Sequence, residues 1–435
     1  DLLRRKHVAE LAQADRNLAT ALVLGVLRWQ LLLDGQIRPL LKRPGARLDA
    51  EVLVALRLGA FQLLYLDRIP AHAAIDESVE LAKQEGHRFA AAMVNAVLRS
   101  LARGVAARGF QGFSVAEENF PAAYPAWMHK RWERFFGTEA ALAICRHGQQ
   151  PPLHALRLIH ASDEEELAAA GVRTEPGRLL AAARIVTSGD ATTTAAFREG
   201  RVRIQDEGSQ LIGEIAACAG KAGGQKSERI VDLCAAPGGK TLILAERNPE
   251  ARIVACEASA QRLAALRKRL APLGERVECR QADAAAFDGA EAFDVALADV
   301  PCSGTGTLGR NPEIRHRLRE EELARQAERQ RTILRAALRA VRPGGRVFYS
   351  TCSLEPEENE QVVEAVLAED ALARVVPIGE CVQALESRGA LATGAAEDLR
   401  ACITAEGTMR LMPGIYGTDG FFVAVIDRGD NEAIV

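Results

Sequence analysis

The sequence predicts a multidomain protein: an all-α bundle, then a small α+β linker domain, then an α/β domain built on a parallel sheet. Three observations carry this reading. Apolar residues recur at helical spacing through residues 1–147, that periodicity stops at Gly148-Gln149-Gln150-Pro151-Pro152, and from Arg229 short apolar runs alternate with helical segments. With 435 residues, 48% hydrophobic and 26% charged, the chain has the composition of a core-forming protein, which excludes intrinsic disorder and collagen-like structure. At roughly 100 to 200 residues per domain, two or three domains are expected.

In the first part, Leu18, Leu22, Gly25, Trp29 and Leu32 share one helix face, as do Val52, Leu56, Gly59, Leu63 and Leu66. Breakers at Arg43-Pro44-Gly45 and Ile69-Pro70, and a further set at Phe89, Met93, Val97 and Leu101, complete a bundle of short helices over 1–147. Residues 148–204 mix Thr, Gly and short β-like runs, the pattern of a small α+β linker domain. The last domain, 205–430, holds runs at Arg229–Leu233, Arg252–Cys256, Val277–Arg280, Asp294–Ala298 and Arg346–Tyr349. Strands separated by helices imply a parallel sheet, and Phe421–Ile426 is expected to add one more strand to it.

The formal net charge of −3 gives no sign of a nucleic-acid partner when taken whole. By region it divides: residues 1–147 carry 20 Lys/Arg against 15 Asp/Glu, leaving −8 on the remainder. The helical part therefore presents either a solvated surface or an RNA-contacting face. Nine cysteines, none within zinc-knuckle spacing of another, argue against a structural zinc site. Their odd number, the lack of a charged-then-apolar leader and the lack of an uninterrupted apolar stretch of about 18 residues lead to the expectation of a cytoplasmic protein without membrane contact.

The first strand runs into Asp232-Leu233-Cys234-Ala235-Ala236-Pro237-Gly238-Gly239-Lys240-Thr241 and then a helix, the position where open α/β sheets bind nucleotide-like ligands. Gly238 and Gly239 let backbone approach a ligand, and the helix N-terminus beyond them favours a carboxylate or phosphate. The second strand ends in Glu257, suited to ribose hydroxyls, and Asp283 follows the third, suited to an adenine amino group. Together these ends predict one adenosine-bearing ligand. The fourth and fifth strands lead into Asp299-Val300-Pro301-Cys302-Ser303 and Thr351-Cys352-Ser353, so two thiols, Cys302 and Cys352, lie on the same rim. Paired thiols there suggest covalent catalysis, with no local feature that says which attacks.

DLCAAPGGKT, DVPCSGTGTLGRNPEIR and YSTCSLEPEENE, with the upstream VRIQDEGSQL, resemble the signature motifs of the NOL/NOP/Sun family of RNA (cytosine-5) methyltransferases. The helical strings LVLGVLRWQ, LRLGAFQLLYLDRIPAHAAIDESVELAK and MVNAVLR resemble the NusB-like domain that precedes the catalytic domain in the bacterial Sun/Fmu members, which act on 16S ribosomal RNA. The resemblance implies a NusB-like RNA-binding bundle, a Rossmann-like class I methyltransferase domain and S-adenosylmethionine as cofactor. Its carried-over cofactor residues are Cys234, Ala235, Ala236, Pro237, Gly238, Gly239, Lys240, Glu257, Asp283 and Asp299.

The same resemblance assigns attack on cytosine C6 to Cys352, and C5 deprotonation with product release to Cys302. It also assigns grip on the N3/N4 edge of cytosine to Asp299, and orientation of Asp299 or activation of a thiol to Lys240. DNA cytosine-5 methyltransferases use the Pro-Cys thiol as nucleophile, so the swapped assignment is a competitor. Eleven arginines against five glutamates between Arg310 and Arg346 suggest an RNA path beginning at Arg310, though surface pairing such as Glu321 with Arg325 explains part of the run. The implied partner is 16S ribosomal RNA and the expected state a monomer. The alternatives are a transfer RNA or large-subunit RNA substrate, or a non-catalytic RNA-binding assembly factor.

Overall fold

The computed structural model describes residues 10–107, 117–218 and 228–429. The first nine positions of the expected bundle and residue 430 of the expected catalytic domain lie outside the described residues. Two compact units form, one comprising Asp1–Gln150 with Arg315–Arg317, the other Pro151–Ile314 with Leu318–Val435.

The first unit is helical, with helices at Gln13–Ile37, Ala50–Tyr65, Ala71–Gln84, Ala91–Ala107, Ala126–Phe136 and Thr138–Gln149. Small residues set how closely the helices approach: a Cβ on Gly25 would fall 2.0 Å from Cζ of Phe61, and one on Gly59 would meet Leu98 at 2.5 Å. Leu33, Ile37, Leu56, Val94, Leu98 and Leu101 form the core around these crossings. The buried stripe differs from the sequence expectation in three places, the first being Leu18, which is exposed. Leu33 and Ile37 are buried where Leu32 was expected, and Phe89 is 77% exposed because it lies on a 3-10 turn, Arg88–Ala90, just ahead of the helix.

Two helical stretches of this unit, Gln13–Leu40 and Arg88–Ala106, are long and apolar enough by length and composition to cross a membrane. No apolar stretch of that length was expected, because each is interrupted by a few charges such as Asp34 and Arg99. Those charges are too sparse to make the stretches polar, and Asp34 is held by Arg57 at 2.7 Å. Within the same unit Arg315 is buried over the Tyr124 ring, 4.1 Å from its centroid, and donates to Gly148 O and Arg28 O, both at 3.1 Å.

The second unit contains two sheets. The smaller is antiparallel, with strands β1 (Ala155–Leu158), β2 (Arg173–Pro176), β3 (Ala183–Ser188) and β4 (Val202–Ile204) in the order β2-β3-β1-β4. The larger comprises β5 (Arg229–Asp232), β6 (Arg252–Glu257), β7 (Val277–Gln281), β8 (Phe293–Asp299), β9 (Val341–Thr351), β10 (Ala373–Val376), β11 (Met409–Leu411) and β12 (Phe421–Arg428). Its order is β10-β12-β9-β8-β5-β6-β7, with β11 on β12. Strands β5 to β9 run parallel, while β12 enters antiparallel beside β9. The apolar runs expected from the sequence all become strands of this sheet.

Strand order reverses between β5 and β8, since the chain leaves β5 toward β6 and β7 and later leaves β8 toward β9. A crevice opens at the carboxyl ends of strands at such a reversal, which is where ligands bind in this architecture. All the strand-end residues singled out above lie at that end.

Candidate active site

β5 delivers Asp232, and the loop that follows turns into the helix Gly239–Arg247 through Gly238, whose φ of +99° belongs to the left-handed region that glycine adopts without strain. A Cβ there would also meet Leu266 at 2.9 Å. Asp232 is fully enclosed and accepts from the Thr241 hydroxyl at 2.7 Å. Burial pushes its carboxyl up to about 6, with the Thr241 hydrogen bond acting against the rise and the charge of Asp299 adding to it.

Glu257 ends β6 and accepts from the Ser259 N–H at 2.8 Å. Asp283 caps the 3-10 turn Ala284–Ala286, accepting from the Ala285 N–H at 3.1 Å. Both carboxylates line one cavity with Cys234, Ala236, Asp299, Cys302 and Cys352. This lining suits a nucleoside: a glycine loop lets backbone come close, and the Glu257 and Asp283 carboxylates at the strand ends can accept from ribose hydroxyls and an adenine amino group. Arg262, which holds Glu257 at 3.3 Å, and Arg329 also line the cavity. Neither stood out in the sequence, where only the four-residue step between Arg329 and Ile333 places two cavity residues on one helix face.

A second cavity shares Cys234, Ala236 and Asp299 with the first and adds Gln205, Ser209, Pro237, Lys240 and Arg269. Lys240 joins its walls, donating to Asp299 Oδ2 at 2.7 Å and to Ser209 Oγ at 3.0 Å. Ser350 donates to the other Asp299 oxygen at 2.8 Å, so Asp299 is fixed from both sides. Burial acts to lower the Lys240 ammonium, yet the charge and hydrogen bond of Asp299, followed by the charge of Cys352, take it above its ordinary value. Lys240 is therefore a fixed cation between the carboxylate and a thiol.

Cys302 and Cys352 stand at the ends of adjacent parallel strands with their sulfurs 3.3 Å apart. The Cys302 thiol is held well above its usual range, first by its hydrogen bond to Cys352, then by burial and by the charges of Cys352 and Glu358. Cys234 is also raised well above the ordinary thiol range, chiefly by burial, which makes it an inert wall residue.

Arg310 is placed differently from the sequence expectation. Its guanidinium donates to Asp419 at 2.6 Å and Asp206 at 2.7 Å, so its charge is matched by two carboxylates instead of facing outward for phosphate. Further along that run Arg315 is buried, Arg346 pairs with Asp427, and Arg325 pairs with Glu322 at 3.2 Å where Glu321 was expected. Glu321 instead occupies the N-cap of the helix Glu322–Ala340.

A family model described as 16S rRNA methyltransferase RsmB/F matches residues 223–427, and one described as NusB family matches residues 2–103. A Bacillus subtilis (strain 168) protein, described as probable ribosomal RNA small subunit methyltransferase B, is 33% identical over 431 residues, covering 95% of this chain and 91% of its own. The chain belongs to the RsmB/F methyltransferase family. A Xanthomonas campestris ribosomal RNA small subunit methyltransferase B is likewise 33% identical over 423 residues, with 95% and 89% of the two chains covered. Among solved structures, PH0851 superposes on the methyltransferase with a TM-score of 0.75 at 25% identity, covering 97% and 92% of the respective chains. NSun6 from Pyrococcus horikoshii, crystallised with SFG, shares the fold at a TM-score of 0.57 and 18% identity, over 71% of this chain and 99% of its own.

Proposed function

We propose that this methyltransferase methylates C5 of a cytosine in 16S ribosomal RNA, through a transient bond between Cys352 and C6. The observation that carries the reading is the pair of thiols 3.3 Å apart, beside a carboxylate fixed by a half-buried lysine. S-adenosylmethionine, bound along the Cys234–Gly239 loop with its ribose toward Glu257 and its adenine toward Asp283, would supply the methyl group as a sulfonium. Every other step belongs to the chain's own side chains.

C5 of cytosine is a weak nucleophile, and adding a thiolate at C6 gives it enamine character. The sulfurs lie 3.3 Å apart, and the hydrogen bond to Cys352, burial and the charges of Cys352 and Glu358 hold the Cys302 thiol up, which supports Cys302 as the hydrogen-bond donor of the pair and Cys352 as the attacking sulfur. As the Cys352 sulfur bonds to C6, Asp299 grips the N3/N4 edge and shares a proton with N3, which stabilises the charge displaced onto the ring. After C5 is methylated, with Cys352 held in the bond to C6, Cys302 gives its own proton to solvent and as thiolate takes the C5 proton; the C5–C6 double bond re-forms, the proton shared with N3 returns to Asp299 and Cys352 leaves as thiolate. A base in a paired stem would have to be flipped or presented in an open loop to reach both thiols.

Cys352→Ala is expected to abolish methyl transfer, and Cys302→Ala to accumulate a covalent protein–RNA adduct visible as a slow band on a denaturing gel. The reverse pattern would overturn the assignment. Incubating the protein with labelled S-adenosylmethionine and separated, unmodified RNAs tests the substrate. Label in a 16S cytosine supports the reading, whereas label confined to transfer RNA or large-subunit RNA, or none in cytosine, defeats it.

A further inference from the structure

Each of the two cysteines is followed by a serine, and both serines bind one carboxylate. Ser303 donates its backbone N–H to Oε1 of Glu358 at 2.8 Å and its hydroxyl to Oε2. Ser353 donates its hydroxyl to the same Oε2 at 2.5 Å, and the two serine oxygens lie 3.0 Å apart. Gln330 fills the remaining place on Oε1 at 2.9 Å, while the same amide nitrogen donates to Pro301 O at 3.0 Å. Glu358 is 0% exposed, all of these donors are neutral, and among the described residues no lysine or arginine forms an ion pair with it. A carboxylate enclosed without a cation is costly unless its lone pairs are filled, and here four donors fill them.

Around this centre the two loops are laced further. Leu354 N–H donates to Thr305 Oγ1 and Gly306 N–H to Cys352 O, each at 2.9 Å. A Cβ on Gly306 would fall 2.8 Å from that Cys352 carbonyl, so the approach is as close as backbone allows. Tyr349 donates to the Glu358 carbonyl at 2.6 Å, which anchors the carboxylate's own backbone to β9.

We propose that Glu358 is a positioning residue for the reaction, fixing the loop that carries Cys302 against the loop that carries Cys352 so that the two sulfurs face one base. The proposal rests on the thiol chemistry above. A thiol pair that must act in turn on C6 and on the C5 proton of one ring loses rate steeply when either sulfur drifts, since misplacement by about 1 Å costs about 100-fold. Glu358 touches neither thiol through a hydrogen bond, and it acts through Ser303 and Ser353.

The test begins without RNA. In a glutathione redox buffer, the ratio of Cys302–Cys352 disulfide to dithiol gives the effective concentration of one sulfur at the other. Glu358→Gln keeps the size of the side chain but places an amide nitrogen against hydroxyls that need an acceptor. We expect it to lower the effective concentration at least about tenfold, with the protein still folded and its S-adenosylmethionine affinity unchanged, and with kcat falling while KM for the cofactor stays constant. Should that variant fail to fold, Ser303→Ala combined with Ser353→Ala removes two legs of the clamp and is expected to give the same loss. An unchanged effective concentration overturns the proposal, as does a loss of kcat matched by equal losses of melting temperature and cofactor affinity. Because the redox measurement uses no RNA, a clamp that passes it while the wild-type protein leaves cytosine unlabelled would identify the cytosine reading as the part that failed.

Discussion

Asp232 couples folding to mildly acidic pH. Its carboxyl rises to about 6 in the folded protein because it is enclosed, against about 3.9 in an unfolded chain. Between those values the folded state holds the proton that the unfolded state has released, so stability falls as pH rises from about 4 to about 6 and stays lower above that range. A shift of about two pH units corresponds to about 3 kcal/mol. Asp232→Asn is therefore expected to gain about 2 kcal/mol on the wild type between pH 4.5 and pH 7, on top of a pH-independent offset from its altered contact with Thr241, as read from urea unfolding at those two values. A constant difference between the two proteins would refute it. At this scale, what the sequence made legible was position along the chain: Glu257, Asp283, Asp299, Cys302 and Cys352 each follow a strand, and the sheet carries them to one rim. The pairing of Arg310 was not legible because its partners, Asp206 and Asp419, are 104 and 109 residues away. Glu358 lay inside a quoted motif, yet a glutamate is ordinarily a surface residue and nothing beside it signals complete burial.

Between elements, a buried ion network joins the small antiparallel sheet to the catalytic helices. Arg157 on β1 donates to Glu214 at 2.7 Å and to Glu246 at 3.0 Å, and Arg247 closes on Glu214 at 2.8 Å. Burial alone would raise the Glu214 carboxyl, but hydrogen bonds and charges from Arg247 and Arg157 bring it below its ordinary range. Removing one partner of such a network leaves enclosed charge without compensation, so Glu214→Ala is expected to cost about 3 to 5 kcal/mol of unfolding free energy by urea titration. Replacing the set by well-packed apolar residues would cost much less. None of this was readable from residues 148–204, where the short β-like runs lack an alternation strong enough to give register. β9 was legible only in part. The expected run began at Arg346, whereas the strand begins at Val341 and passes through Pro343-Gly344-Gly345, a sequence that reads as a turn until Val341 is seen beside Phe293.

For the molecule as a whole, net charge is a poor guide to partner, because a total of −3 combines an excess of five positive charges over 1–147 with an excess of eight negative charges elsewhere. On the helical unit, Arg99 and Arg103 flank a groove with His72 and Ile75. If that face follows phosphates, Arg99→Gln with Arg103→Gln weakens RNA binding and reduces the slope of log K against log salt by about 0.7 to 0.9 for each phosphate no longer neutralised. Filter binding at several salt concentrations reads this directly, and an unchanged slope would place the RNA elsewhere.

The last strand of the large sheet has a consequence for how the protein is made. β12 lies inside the sheet, not at its edge, with Phe422 opposite Thr351, the residue before Cys352. At about 5 to 20 residues per second, β9 leaves the ribosome several seconds before its neighbour exists. Throughout that interval the nascent chain carries an open β edge just ahead of Cys352, a template for wrong pairing. A chain that stops short of residue 421 would keep that edge open.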